Sequence, residues 1–264
     1  MQTSHDITVL QSYADLLYNA EQTRVAIEPL TSHCPSLTVD DAYFIQLENV
    51  RRCQVVGHLI SGKKIGLTSE GIQKQLGVNE PDYGHLFELM DCGINGIVPI
   101  SSLIQPKIEG EIAFVLKKDL SGGQVTPQDV INATAYVTVA FEIVDSRIAN
   151  WNIKLPDTIA DNASSGRYIL SQKRIVPTDI DLTNISMVMH KNATQVGTGS
   201  SAAVMGNPSQ TVAWLANKLW QYNVPLKAGE LILSGAFAEA HEAKKGDVFN
   251  AKFSSLGSVT ARFV

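Results

Sequence analysis

The sequence predicts an α+β protein: a mixed, mostly antiparallel β-roll or sandwich core preceded by an N-terminal helical region. Three observations predict it. The first third of the chain carries apolar residues at helical spacing. From about residue 95 it breaks into short β-branched and aromatic runs separated by Gly, Pro, Asn and Asp. Those runs far outnumber the helices available to cross between them, which argues against an alternating parallel sheet. The change of texture divides the 264 residues into 1–94, helical and packed on the core, and 95–264, the β-roll that would carry the chemistry.

In chain order, Leu10 to Thr23 places Leu10, Tyr13, Leu16, Leu17 and Ala20 on one face. A second helix follows a cap at Thr38 or Asp40, with Ala42, Ile45, Leu47 and Val50 inside. Thr68 to Leu76 reads as a short third helix or turn, capped at Thr68 or Ser69 and stopped by Gly77. Then come the strand-like runs GIVPI, EIAFVLKK, TAYVTVAFEIVD, SMVMHKN, ELILSG, DVFNAKF and GSVTARFV. Two helices interrupt them: TPQDVINA, with Pro127 in the first turn, and SQTVAWLANKLWQY, with Val212, Leu215, Leu219 and Trp220 near one stripe.

Composition narrows the function. A formal net charge of −5 without a basic block argues against a nucleic-acid backbone as partner. No apolar run approaches the roughly 18 residues of a membrane span, and the N-terminus lacks the features of a secretory signal. Cys34, Cys53 and Cys92 are scattered and not at metal-ligand spacing, so they read as reduced thiols and the protein as cytoplasmic. There is no G-x-S-x-G, and no Cys/His pairing in the sequence supports covalent catalysis.

The stretch PKIEGEIAFVL holds the chemistry. Ile108, Ile112, Phe114 and Leu116 share one parity, and Glu109 and Glu111 share the other, so a strand would project both carboxylates from one face. Like charges that close repel. E-x-E alone is most often a solvated face, but a third acid, Glu142, stands between Phe141 and Ile143, where its neighbours cannot solvate it. Three glutamates without His or Cys nearby would suit Mg²⁺ or Mn²⁺ better than zinc, and Ca²⁺ less well because it takes more ligands.

Other polar islands are weaker. SGKKIGLTS lacks the phosphate-loop spacing; Lys63 reads as a surface turn, and Lys64 leads into an apolar segment, where it would hold a carboxylate or move a proton. Asp82 sits in the turn-like VNEPDYGHLF, and His85 is a lone histidine of the kind that packs or is solvated. LPDTIADNASSG offers Asp161, Asn162, Ser164 and Ser165 either to a pocket or to a turn.

Together IEGEIAFVL, FEIVDSRIANW, DTIADNASSG, GKKIGLTS, VNEPDYGHLF and GSVTARFV resemble the 2-hydroxypenta-2,4-dienoate (2-keto-4-pentenoate) hydratases, in order and from about residue 10 to the end. Their relatives are the 2-oxohept-4-ene-1,7-dioate hydratases and 4-oxalocrotonate decarboxylases of the fumarylacetoacetate hydrolase superfamily. The resemblance implies a β-roll of that superfamily's C-terminal type. It implies a Mg²⁺ or Mn²⁺ ion on Glu109, Glu111 and Glu142, with Lys64 and Asp82 serving the proton transfers. It also implies a substrate wall of Asn162, Ser164 and Ser165, with Ser234 close by. The implied reaction adds water to a 2-hydroxy-2,4-dienoate to give a 4-hydroxy-2-oxo acid, as in meta-cleavage catabolism of aromatic compounds. The alternatives are a 4-oxalocrotonate-type decarboxylase and a non-catalytic 2-oxo acid binder. A homo-oligomer is implied, and a hydratase–decarboxylase complex goes with the decarboxylase reading. One departure stands out: FAEAHEAKKGD brings Glu239, His241 and Glu242 where the hydratases carry small apolar residues, so His241 would pair with a polar distal end of the substrate.

Overall fold

The computed structural model describes residues 3–69, 71, 73, 74 and 77–264. The expected short helix at Thr68 to Leu76 falls partly outside them.

Two sheets form the core. The larger has seven strands, in the order β2 (Asp82–Phe87), β1 (Ile60–Gly66), β9 (Leu231–Ala236), β4 (Lys107–Leu116), β5 (Thr134–Val144), β6 (Ser165–Leu170), with β10 (His241–Glu242) beside β4. All its pairings are antiparallel except β1 with β9. The second sheet runs β3 (Ile97–Val98), β12 (Gly257–Phe263), β11 (Val248–Phe253), β7 (Ser186–Lys191), β8 (Thr194–Ser200). The mostly antiparallel two-sheet core expected from the run of short strands is what the chain forms.

The sheets meet through the parity read from the sequence. Ile108, Ile112, Phe114 and Leu116 are buried, and a Cβ at Gly110 would lie 2.5 Å from Met187 Sδ and 3.2 Å from Phe253. That face of β4 therefore packs on β7 and β11. The other face looks into the curl of the larger sheet. There Leu86, Ala113, Ala140, Tyr168, Leu231 and Leu233 form a separate apolar cluster with Val50, Phe87 and Met90. Tyr168 Oη donates to Ser61 Oγ at 3.2 Å, tying β6 to β1 across the curl.

Helices cover the outside. Ile7–Thr23 is capped by Asp6, and Val39–Val55 by a capping box of Thr38 and Asp41. Pro127–Ala133 and Pro208–Trp220 begin with proline in the first turn. Leu155–Ala160 is a helix that the sequence hid among small polar residues.

The expected division at residue 95 needs correction. The helical texture of 1–94 ends at Val55, and β1 and β2 belong to the same sheet as β4 and β9. The reason is charge pairing. Lys63 and Lys64 point to opposite faces of β1 and both are buried. Lys63 Nζ meets Glu230 at 2.6 Å and Lys64 Nζ meets Glu142 at 3.2 Å. Lys63 is thus no surface turn.

Candidate active site

The ends of β1, β5 and β9 and the starts of β2, β4 and β6 all lie at one rim of the larger sheet, because the register pairs Gly66 with Asp82, Lys64 with Leu233, Lys107 with Val144 and Val144 with Ser165. The apolar cluster closes the curl below that rim, and the charged residues stand above it.

β4 and β5 set Glu109 directly opposite Glu142, with Glu111 one alternation deeper. One carboxylate oxygen from each of the three lies within 4.8 Å of the others. Glu111 and Glu142 are fully buried. Glu111 Oε2 accepts from the Gly235 N–H at 2.8 Å. Glu111 Oε1 and both Glu142 oxygens are buried without a hydrogen-bond partner among the described residues. Lys64 Nζ lies at ion-pair distance from Glu142 Oε1 but out of hydrogen-bonding alignment.

One ammonium does not balance three carboxylates. Burial, then repulsion by Glu142, pushes Glu109 up to about 8. Burial, then Glu142 and Glu109, holds Glu111 well above the usual carboxylate range. Burial works against the Lys64 charge, yet attraction by Glu142 and Glu109 outweighs it, so the side chain remains an ammonium. An all-oxygen donor set with orphaned buried oxygens is what a hard divalent cation requires. The residues present fit such an ion.

A pH dependence follows. A carboxyl raised in the fold binds more protons folded than unfolded, so its contribution is full below its unfolded value and is lost as pH rises through its folded value. For Glu109 that window runs from 4.5 to about 8. The chelated protein is therefore expected to lose thermal stability between those limits, and the protein saturated with a divalent cation to lose less. Parallel melting curves in chelator and in excess Mg²⁺ measure the difference.

Asp82 and Lys64 flank the empty side of Gly66: a Cβ there would run into Asp82 Oδ1 and come within 3.5 Å of Lys64 Nζ. Thr158 Oγ1 approaches Asp82 Oδ2 at 3.5 Å. Burial raises the Asp82 carboxyl, and Lys64 offsets part of the rise.

The small polar segment lies beside this group, but its side chains serve the scaffold. The Asn162 amide spans the His85 backbone, accepting from its N–H at 2.7 Å and donating to its carbonyl at 2.9 Å. The Asn162 carbonyl fills the open side of Gly84, along with Ser165 Oγ, which donates to that same carbonyl at 2.8 Å. Ser164 Oγ donates to Asp161 at 3.3 Å. Asn162, Ala163 and Ser164 are left-handed in succession, a strained run. It is held by the buried pair of Asp161 with Arg147, to which Ser146 Oγ adds a bond at 3.0 Å.

Two expected site residues point elsewhere. Ser234 Oγ donates to the Ile112 carbonyl at 2.8 Å, on the side opposite Leu233. His241 pairs with Ile108 and lies against Gly197 of β8, the opposite parity from Glu109. Strand alternation turns both away from the carboxylates. The sequence reading missed Gly84 and Gly235, whose interior positions in strands are the signal of close backbone approach. His85 is packed, its Nδ1 3.2 Å from Gln46 Oε1, and burial with Lys63 beside it lowers it to about 3. A cavity of about 250 Å³ lies against Asn162 and Ser165, under Val50 and Cys53, and none of Lys64, Asp82 or the three glutamates lines it.

Known proteins resemble this chain along its length. The fumarylacetoacetate hydrolase C-terminal family matches residues 95–264. A 2-keto-4-pentenoate hydratase of Paraburkholderia xenovorans (strain LB400) is 48% identical over 250 residues, covering 95% of this chain and 93% of that one. A 2-hydroxyhexa-2,4-dienoate hydratase of Comamonas testosteroni is 43% identical over 98% of each. Among solved structures, the 4-oxalocrotonate decarboxylase from Pseudomonas putida G7, complexed with magnesium and adipate, superposes with a TM-score of 0.96 at 37% identity over 100% of both chains.

Proposed function

The chain belongs to the fumarylacetoacetate hydrolase C-terminal family, and from that premise we propose that it is a divalent-metal-dependent hydratase. It adds water to a 2-hydroxy-2,4-dienoate and releases a 4-hydroxy-2-oxo acid. The observation that carries the reading is the convergence of Glu109, Glu111 and Glu142, with orphaned oxygens, beside Lys64. The hydratases at 43% and 48% identity support hydration over other chemistry on the same scaffold.

The three glutamates would hold Mg²⁺ or Mn²⁺, which when bound supplies Lewis acidity to the oxygen at C2 of the substrate. The remaining work falls to this chain's own groups. Lys64, kept as an ammonium, complements the substrate's negative charge. The proton of the C2 hydroxyl leaves and C5 gains one, giving a 2-oxo-3-enoate. Water oxygen then bonds C4 while a proton passes from the water to C3. Asp82 would carry these protons, a role that its burial beside Lys64 and its raised carboxyl support. Asn162 contributes its carbonyl and Ser165 its hydroxyl to the wall beside Gly84.

¹H NMR of the protein with Mg²⁺ and freshly generated 2-hydroxypenta-2,4-dienoate tests this. A new CH–OH signal at C4, absent with chelator, is expected; turnover that survives chelation overturns the metal role. The full-length superposition on a decarboxylase favours one second reading: CO₂ release from 4-oxalocrotonate without prior hydration would establish it.

A homo-oligomer belongs to the same proposal. Val55, Val56, Leu59 and Leu89 are exposed, with Val56 and Leu89 on one cavity and Leu59 bonded to Glu88 through the backbone. Sedimentation should find more than one chain per particle, and fewer when Val56 and Leu89 become polar. No helix among the described residues is long and apolar enough to cross a membrane.

A further inference from the structure

Far along the sequence from the carboxylates, the N-terminal segment folds back onto the start of helix Val39–Val55. Asp41 is buried there and accepts from Ser4 N at 2.8 Å, His5 N at 3.3 Å, Thr38 N at 3.1 Å and Thr38 Oγ1 at 2.6 Å. Its Oδ2 also lies 2.9 Å from His5 Nδ1. Burial opposes the charge, yet the bonds from Thr38, His5 and Ser4 hold the Asp41 carboxyl well below the usual range. An ionised carboxylate can only accept, so in the neutral ring the imidazole hydrogen sits on Nδ1 and Nε2 is left as an acceptor. That nitrogen faces Cys34 Sγ at 3.4 Å and Ser36 Oγ at 3.1 Å. Cys34 is partly exposed.

Nucleophile, base and orienting carboxylate thus stand in hydrogen-bonding sequence, the arrangement that activates a thiol. The 29 residues between His5 and Cys34 hid the pairing, which exists only in the fold. We propose that Cys34, His5 and Asp41 form an activated-thiol site, separate from the hydratase centre, at which the sulfur is oxidised by hydroperoxides. The thiol passes its proton to His5 Nε2. Sulfur attacks the terminal peroxide oxygen and the S–O bond forms as the O–O bond breaks. The departing oxygen takes the proton from His5 and leaves as water from hydrogen peroxide or as an alcohol from an organic hydroperoxide. Sulfur is oxidised by two electrons to sulfenic acid and the peroxide is reduced. Attack comes from the thiolate, which proton transfer to His5 supplies.

The other two cysteines are internal controls. Burial pushes both Cys53 and Cys92 up to about 11, and neither sulfur has a histidine ring hydrogen-bonded to it among the described residues.

The test exposes the whole protein to hydrogen peroxide with dimedone present and follows adduct formation at each cysteine by mass spectrometry between pH 6 and 10. Cys34 should react at least about tenfold faster than Cys53 and Cys92 at pH 7. In His5→Gln the Cys34 rate should fall about tenfold at pH 7 and recover towards wild type near pH 10, where the thiol ionises unaided. Hydratase turnover in the same sample reports an intact fold, since His5 lies outside that machinery. Equal rates at the three cysteines, or a His5→Gln rate unchanged at pH 7 or depressed equally at all pH, would overturn the proposal.

Discussion

Glu111→Gln is expected to abolish turnover, cutting kcat/KM by about 10³-fold or more, while making the metal-free protein more stable at pH 8. The two effects share one cause. The cluster holds three acids and one ammonium in a space sealed below by Leu86, Leu231 and Leu233. In the metal-free protein ionisation of Glu109 and Glu111 is opposed by burial and by their neighbours, which displaces both carboxyls upward. A neutral amide keeps the acceptor for the Gly235 N–H and removes one repulsive charge. The gain should be on the order of 1 kcal/mol, about the free energy of one pKa unit. The same change removes a ligand from the cation, and a 10³-fold loss corresponds to about 4 kcal/mol of barrier.

Glu142→Gln separates the terms. It should be equally inactive, yet gain less stability in chelator, because Lys64 loses its nearest counter-charge. Melting temperatures of the three proteins with chelator and with Mg²⁺ check this. If wild type and both variants melt together in chelator, the cluster is not under electrostatic load; if Mg²⁺ raises the variants as much as wild type, the glutamates are not the ligands.

The cluster was legible because two independent patterns met in it. Glu109 and Glu111 shared one face of a strand whose other face was apolar, and Glu142 stood inside an apolar run. Both features depend on side-chain parity, which sequence displays directly. β1 was illegible for the converse reason. Lys63 read as a surface turn, since the partner that buries it, Glu230, comes from far away in sequence, and Lys64 was read towards a site without its partner Glu142 being visible. His241 and Ser234 show the limit of motif proximity: both lie near the site in strand order, and parity alone turns them away. Asn162 was found by its motif, but its amide is consumed by His85, a bond that exists only once Asp161 and Arg147 have folded the left-handed run.

Gly235→Ala should be the most damaging substitution outside the glutamates. Gly235 has φ +116, where an L side chain is strained at a cost of about 1–3 kcal/mol. A Cβ there would also lie 2.5 Å from both Thr68 Oγ1 and Thr68 Cγ2, a branched side chain with no flexible end to swing aside. The strand must then shift, and the Gly235 N–H that holds Glu111 Oε2 shifts with it. The expected result is a loss of about 2–4 kcal/mol of stability together with at least about tenfold weaker Mg²⁺ binding, the latter from disturbing a buried hydrogen bond to a charged group. Thr68→Gly in the same chain relieves the overlap but not the backbone strain, so it should recover only part of the stability. Calorimetric Mg²⁺ titration and denaturant unfolding of the two variants resolve the terms. Full recovery in the double variant would mean that the overlap is everything and φ costs nothing. Unchanged Mg²⁺ affinity in a folded Gly235→Ala protein would mean that Glu111 is positioned by β4 alone, and that this glycine is there for the chain's turn rather than for the metal site.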